Sequence, residues 1–319
     1  MTTTPTDATL PAPASAPRSR DAVGARTGGG MDLGSKSTGR AVKDLIARVI
    51  MWASFGLAMI PLGWILYTVV SKGLGLIVQA RWWSNSQRNV NSTDVGGGAI
   101  HAIQGTLLQA GVTGLIAVPV GILTAIYLVE YGGGRLARAV SFMVDILTGV
   151  PSIVAALFIY AVWVTTFGFQ RVGFAVCLAL VLLMIPVVVR STEEMLKLVP
   201  NELREASYAL GVPKWVTIAK VVVPTAFSGI VTGVLLGLAR VMGETAPLLI
   251  LGPYTKSIAT NLFAGPMPTL PTMINQDRTE LGIAPAVERM WATALTLILL
   301  VLLLNVAGRL IARLGAVQR

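Results

Sequence analysis

The sequence is poor in the residues that most often carry catalytic or metal chemistry. It contains one cysteine, Cys177, and one histidine, His101. A single cysteine excludes an intramolecular disulfide framework. A single histidine with no second histidine or thiol nearby does not make a metal site. We also find no Ser-His-Asp or Cys-His set, and no paired carboxylates outside segments that look interfacial, so we expect no metal, no cofactor and no enzymatic activity in this chain.

Charged residues are scarce as well. Only 13% of the 319 residues are charged, 54% are hydrophobic, and the mean hydropathy is +0.72. A soluble domain of this length usually carries roughly 25% charged residues, so lipid must cover much of the surface. The net charge of +10 does not indicate nucleic acid, because the basic residues fall between apolar runs, as membrane orientation requires.

Six apolar stretches have about the ~20 residues that cross a hydrocarbon core. They predict an all-α integral membrane protein with spans near residues 49–70, 106–129, 139–164, 172–189, 221–250 and 290–307. A membrane β-barrel is excluded because the runs are continuous and do not alternate. The fifth stretch is longer than one crossing requires, so we expect it to be tilted, broken or extended into water.

The N-terminal 40 residues differ from the rest of the chain. Residues 1–40 are rich in Thr, Ala, Pro, Ser and Gly and contain no apolar run. This composition predicts a disordered tail, followed by a transmembrane domain at residues 41–319, and Met31 is an alternative start to Met1. If the N-terminus is cytoplasmic, the inside segments hold most of the basic residues, which predicts that both termini face the cytoplasm.

The segment between the fourth and fifth stretches, residues 190–220, predicts two short helices. Ser191 and Glu194 have the spacing of a capping box that would start the first helix, and Pro200 would end it. Asn201 is a good N-cap for the second, which is ended by Gly211 and Pro213. By itself this pattern is also typical of an interfacial helix-turn-helix without a partner.

A longer motif in this segment distinguishes the two possibilities. The motif consists of Glu205-Ala206-Ser207, then Gly211 after three residues, then Val221 to Pro224 after nine more. It resembles the EAA motif of ABC importer permeases, E-A-A-x3-G-x9-I-x-L-P. The resemblance implies a type I, MetI-like permease fold. In that fold this loop forms a coupling helix that docks on an ATP-binding subunit. Glu205, Ala206, Ser207 and Gly211 would then be its contact and turn residues.

The fifth stretch contains a charged pair, Arg240 and Glu244, in an otherwise apolar run. A charge at membrane depth costs between ~3 and more than ~10 kcal/mol, so each is a functional candidate. At positions i and i+4 the two side chains can pair on one helix face. With Gly229, Gly233 and Gly237 they fall within an arc of roughly 80° at about 100° per residue. The stripe predicts a surface that faces another helix or an aqueous anion pathway, and a purely structural ion pair is the alternative.

Three segments resemble the PstA family of phosphate importer subunits. They read ARVMGETAPLL from Ala239, DILTGVPSIV from Asp145 and LVEYG from Leu128, and the likeness extends over about residues 45–315. It implies a permease that imports phosphate across the bacterial cell membrane, with Arg240 and Glu244 in the pathway. The partners implied are an ABC ATPase dimer, a second permease subunit of the PstC type, an external phosphate-binding protein and lipid, with no nucleic acid. We interpret Asp145 and Glu130 as structural or interfacial.

Other functions remain open at this point. A permease for another oxyanion or small solute would carry much the same coupling loop. A polytopic membrane enzyme fits the hydropathy but has no catalytic set to use. An ion-coupled transporter would leave the coupling loop unexplained.

Overall fold

The computed structural model describes the backbone of residues 38–317 and the side chains of residues 42–313. The tail predicted at residues 1–40 therefore lies outside the described residues, apart from residues 38–40, where the first helix begins. Internal contacts divide the chain into two units, Met1–Pro61 and Leu62–Arg319. In the first unit, residues 42–61 are helical and their side chains are all exposed.

The described part of the chain is helical, without a strand. In chain order the helices are α1 (Thr38–Ile77), α2 (Ala80–Ser84), α3 (Ile100–Ile126), α4 (Arg135–Gly149), α5 (Ser152–Ile159), α6 (Gly173–Lys197), α7 (Asn201–Ala209), α8 (Lys214–Thr217), α9 (Val223–Met242), α10 (Ala246–Leu251), α11 (Leu270–Arg278) and α12 (Ala284–Val317). Three π-helical segments extend them, Tyr127–Tyr131 after α3, Tyr160–Thr166 after α5 and Ile218–Val222 between α8 and α9.

Five helical segments in the described residues are long and apolar enough to cross a membrane, and a sixth crossing is formed if the bent pair α4–α5 counts as one. The prediction of an all-α membrane protein with about six spans is therefore confirmed. The third stretch, however, is not the single helix expected at 139–164, because the chain bends by 107° between α4 and α5. Val150 is extended, with ψ 123°, since a residue that precedes a proline, here Pro151, is disfavoured in the helical region.

The fifth stretch is broken, one of the three outcomes expected from its length. Helix α9 ends at Met242 and α10 begins at Ala246. The Gly243 amide donates to Arg240 O at 3.1 Å and the Glu244 amide to Val241 O at 3.2 Å, which tightens the last turn. At its other end the crossing is continuous from Lys214, so it begins before the predicted residue 221.

Helix α6 is the centre of the second unit. In the most apolar stretch of 18 residues of α6, 67% of the residues are buried inside the protein. Val176, Leu180, Met184 and Val188, spaced four residues apart on one face, lie in a core shared with α3, α5, α9 and α10. Because lipid is as apolar as these side chains, close packing and not transfer from water holds such helices together.

A buried polar cluster fixes the loops at the end of the unit where α3 begins. Arg289 is 2% exposed, and its guanidinium donates to the carbonyl oxygens of Asp94 at 2.8 Å and Ser92 at 3.0 Å. Its Nε lies 3.9 Å from the Asp277 carboxylate, which is also buried. Burial raises the pKa of Asp277 to about 6, against the opposing effect of Arg289.

Candidate functional site

The candidate coupling segment follows a longer α6 than the sequence predicted. The prediction that a short helix starts at Ser191 is wrong, because α6 runs without a break to Lys197. Ser191 lies inside α6, where its Oγ donates to Val188 O at 3.2 Å. Thr192 and Leu196 are fully buried, so continuing the helix buries one more turn of α6. The loop predicted at 190–220 therefore starts after Lys197.

Helix α7 occupies the position predicted for the second short helix. It starts at Asn201, directly after Pro200, and ends at Ala209. Gly211 follows with φ +74°, the left-handed conformation in which glycine commonly terminates a helix. The amides of Gly211 and Val212 donate to Tyr208 O at 2.9 Å and Ser207 O at 3.2 Å, which closes the turn.

The two faces of α7 differ in exposure. Of the four residues predicted to couple to an ATPase, Glu205, Ala206 and Gly211 are exposed, whereas Ser207 is buried. The Ser207 hydroxyl shares a hydrogen bond of 2.8 Å with Thr217 Oγ1 of α8. Large apolar side chains are exposed beside the outward face: Leu203, Tyr208, Leu210 and Trp215. Exposed apolar patches with polar rims mark interaction surfaces.

An ion pair that the sequence did not indicate lies under α7. Arg204 Nη2 is 2.9 Å from Glu130 Oε1, and the two side chains are 13% and 5% exposed. Glu130 belongs to the π-helical end of α3 and is 74 positions away in sequence. No local pattern could have paired them, although the three-residue spacing of Arg204 and Ser207 would place both on one face of α7.

The pair Arg240 and Glu244 does not share a helix. Arg240 lies in the last turn of α9 and is exposed, whereas Glu244 is half-buried in the break before α10. The prediction that both lie on one helical face is therefore wrong, since α9 ends at Met242. Among the described residues no ion pair or hydrogen bond reaches the Arg240 guanidinium.

The three glycines of α9 lie against α6. A Cβ added to Gly233 would be 2.6 Å from Ser191 Cβ, and one added to Gly229 would be 2.6 Å from Met195 Cγ. At Gly237 the nearest atom, Met184 Cε, is at an ordinary 3.5 Å. Gly229 and Gly233 therefore allow α9 to approach α6 more closely than a methyl group would, whereas Gly237 leaves room for one.

Two open grooves follow α9 and α12 and share Arg309. The first, of about 590 Å³, is lined by Gly243, Asn305 and Arg309 with apolar residues of α12. The second, of about 460 Å³, is lined by Ser228, Thr232, Arg309 and Arg313 among others. The first groove is therefore mainly apolar, and the hydroxyl and guanidinium groups are concentrated in the second. Among the described residues, no group of three His, Cys, Asp or Glu side chains is placed to hold a metal ion.

Comparison with solved structures gives the fold class that the sequence predicted, that of a MetI-like ABC importer permease. A subunit of a MetNI methionine ABC transporter has a TM-score of 0.54 at 24% identity, over 68% of this chain and 95% of that chain. A bacterial ABC transporter involved in alginate import has a TM-score of 0.57 at 15% identity, over 86% of this chain and 98% of that chain. At these identities the likeness shows the fold of an ABC importer permease.

Sequence comparison is more specific. Residues 117–314 match the family model "Binding-protein-dependent transport system inner membrane component". The phosphate transport system permease protein PstA 1 of Mycobacterium tuberculosis is 52% identical over 272 residues, 85% of this chain and 89% of that protein. PstA of Yersinia pestis is 39% identical over 280 residues, 86% of this chain and 92% of that protein. The chain is thus a multi-pass inner-membrane permease, not an enzyme, and it belongs to the PstA family within the binding-protein-dependent transport components.

Proposed function

We propose that this chain is the permease subunit through which an ATP-driven importer moves inorganic phosphate into the cytoplasm. The observation that carries the proposal is the 52% identity, over 272 residues, to a phosphate transport permease. The importer would also contain a second permease subunit of the PstC type, two copies of an ABC ATPase and an external phosphate-binding protein. Lipid would cover the apolar surface that these partners leave free.

The outward face of α7 supports the proposed contact with the ATPase. Glu205 and Ala206 are exposed on a short helix whose other face is buried. Exposed Leu210 and Trp215, at 83% and 67%, flank it. Burying such side chains stabilises a complex by about 2 kcal/mol each. A small residue at Ala206 allows the partner surface to approach the helix backbone closely.

The end of α9 supports a role of Arg240 in the phosphate pathway. Its guanidinium is exposed and has no partner among the described residues, although it lies in a membrane-spanning segment. An arginine can bind an oxyanion through two parallel N–H···O bonds. Glu244, in the break that follows, would limit the affinity so that the anion can leave. Gly229, Gly233 and Gly237 would hold α9 against α6 while this end stays open.

The proposed docking of an ATPase on α7 would also set the orientation in the membrane. The α7 end of α6 and α9 would face the cytoplasm, together with Arg309 and Arg313 at the end of α12. This orientation agrees with the excess of basic residues expected on the cytoplasmic side. Both termini would then be cytoplasmic, with residues 1–40 as an N-terminal tail.

The transport test uses the reconstituted complex. Proteoliposomes with all partners should take up phosphate when ATP is supplied to the cytoplasmic side, and excess sulfate should not compete. Arg240→Gln should abolish uptake while the complex still assembles. Arg138→Gln, which removes an exposed positive charge from α4, is the control and should transport normally. Uptake that Arg240→Gln leaves intact would contradict the pathway assignment, and preferential uptake of another oxyanion would contradict phosphate.

A further inference from the structure

Arg204 is the charged residue of α7 that points inward. Its side chain is 13% exposed, whereas Glu202 and Glu205 on the same helix are exposed. A buried guanidinium remains charged and needs acceptors for its donors. Here those acceptors come from two other helices, so Arg204 connects α7 to both.

The first connection is to the end of α6. Arg204 Nη2 donates to Leu196 O in the last turn of α6 at 3.0 Å, and Nη1 donates to Val199 O, in the short link between α6 and α7, at 2.6 Å. The last carbonyl groups of a helix lack partners within the helix, and a cation near them is favoured by the helix dipole. The guanidinium therefore adds a charged donor at the last turn of α6, where Leu196 O also accepts from the Val199 amide at 3.3 Å, and connects α7 to that turn.

The second connection is to the end of α3. Glu130 Oε1 accepts from Arg204 Nε at 3.1 Å and from Nη2 at 2.9 Å. Lys214, which begins α8, donates to the Glu130 carbonyl and lies 4.6 Å from the centre of the Tyr131 ring. Arg204 of α7 and Lys214, the first residue of α8, therefore both contact the π-helical turn that ends α3.

Helix α3 joins this turn to the loops at its other end. Near its start, Thr106 Oγ1 accepts from the Leu270 amide at 2.9 Å, and His101 Nε2 lies 3.2 Å from the Tyr254 hydroxyl. Between these points α3 packs along α6 in the apolar core. A displacement of α7 that is passed to Glu130 therefore acts on a helix that reaches the opposite end of the unit.

We propose that Glu130 and Arg204 form the mechanical link that passes movement of α7 to α3 and α6. Both are positioning residues that touch neither the ATPase nor phosphate. The inference rests on the proposed function, in which an ATPase docks on α7. An ion pair suits this role because two Arg204 donors converge on one Glu130 oxygen, which fixes its direction, and because burial leaves its charges few alternative partners.

The test separates transmission from docking and from folding. Glu130→Gln keeps the shape of the side chain but removes its charge, and Arg204→Lys keeps the charge but removes the fork. Asp44→Asn, which neutralises an exposed acid of α1 outside the proposed docking face, is the control. Each variant is purified with the ATPase and second permease in lipid, and ATP hydrolysis is measured with and without phosphate-loaded binding protein.

We expect Glu130→Gln to retain the ATPase and its basal hydrolysis, but to lose about tenfold in the stimulation by binding protein and in uptake, within the range of measured coupling energies. Arg204→Lys should lose less, and Asp44→Asn should behave as wild type. Stimulation that survives in Glu130→Gln would overturn the inference, as would loss of the ATPase from that complex, since it would show that the pair serves docking. If Glu130→Gln does not fold, Glu130→Asp, which keeps the charge but shortens the side chain, is tested in its place. The quantity compared is again the rate of ATP hydrolysis with phosphate-loaded binding protein divided by the rate without it. A wild-type chain that recruits no ATPase would instead overturn the proposed function itself.

Discussion

The packing of α9 on α6 makes a quantitative prediction for Gly233→Ala. The added Cβ would lie 2.6 Å from Ser191 Cβ and closer still to its hydroxyl oxygen. Carbon atoms in contact are normally about 3.5–4.0 Å apart, so the helices would have to separate by roughly 1 Å. Overpacking of this kind destabilises a protein by about 1–3 kcal/mol. Replacing a helical glycine with alanine stabilises the helix by about 0.5–1 kcal/mol, which offsets part of that loss. We expect a net loss of about 1–2 kcal/mol.

A second glycine provides the control. Gly111 lies within α3, is exposed, and has no atom within 4 Å of an added Cβ. Gly111→Ala should therefore keep the gain in helix propensity without the clash. Unfolding of the purified chain in detergent micelles, followed by tryptophan fluorescence during titration with SDS, would place the Gly233→Ala midpoint below wild type and the Gly111→Ala midpoint at or above it.

A double variant identifies the contact responsible. Ser191→Gly removes both atoms that the new methyl group would meet, at a cost of about 0.5 kcal/mol in helix propensity. In combination with Gly233→Ala it should restore most of the loss, giving an interaction energy of about 1 kcal/mol or more. A Gly233→Ala variant as stable as Gly111→Ala, or strictly additive effects in the pair, would refute the close approach of the two helices.

Three further changes have expected outcomes. Gly211→Ala, at a residue with φ +74° and open space around it, should lower the unfolding midpoint through backbone strain of about 1–2 kcal/mol and reduce ATPase recruitment, and Gly211→Asn should be milder. Trp82→Phe removes a buried 2.9 Å hydrogen bond to Thr296 Oγ1 and should cost about 1–2 kcal/mol in the same assay. Asp277, whose pKa burial raises to about 6, binds its proton more tightly when folded. Wild type should therefore gain about 1 kcal/mol over Asp277→Asn as the pH falls from about 7 to about 5, and a difference that does not change with pH would contradict this.

Hydropathy was sufficient for the number of spans but not for the shape of two of them. The interior prolines Pro61, Pro119 and Pro186 lie inside continuous helices, whereas α4 and α5 bend by 107° at Pro151. A proline is tolerated where neighbouring groups satisfy the carbonyl that it frees. Those neighbours are distant in sequence, so the apolar run alone could not distinguish the two cases.

The candidate site shows the same limit at the level of single residues. Pro200 and Asn201 before the helix and Gly211 and Pro213 after it predicted the position of α7, because helix ends are determined by local residues. The capping pattern at Ser191 was misleading because burial of Leu196 favoured a longer α6. Glu130 was interpreted as structural or interfacial, since only the folded chain brings it to Arg204.

In the proposed complex, the exposed guanidinium of Arg240 would link the amount of this chain in a cell to that of a second permease. In a lone subunit that charge would remain in the membrane without a counter-charge, at a cost of at least ~3 kcal/mol. Association with a second permease would remove the cost by giving the side chain a polar surrounding. We therefore expect the subunit made alone to be turned over quickly, so that subunit stoichiometry is controlled by the membrane itself.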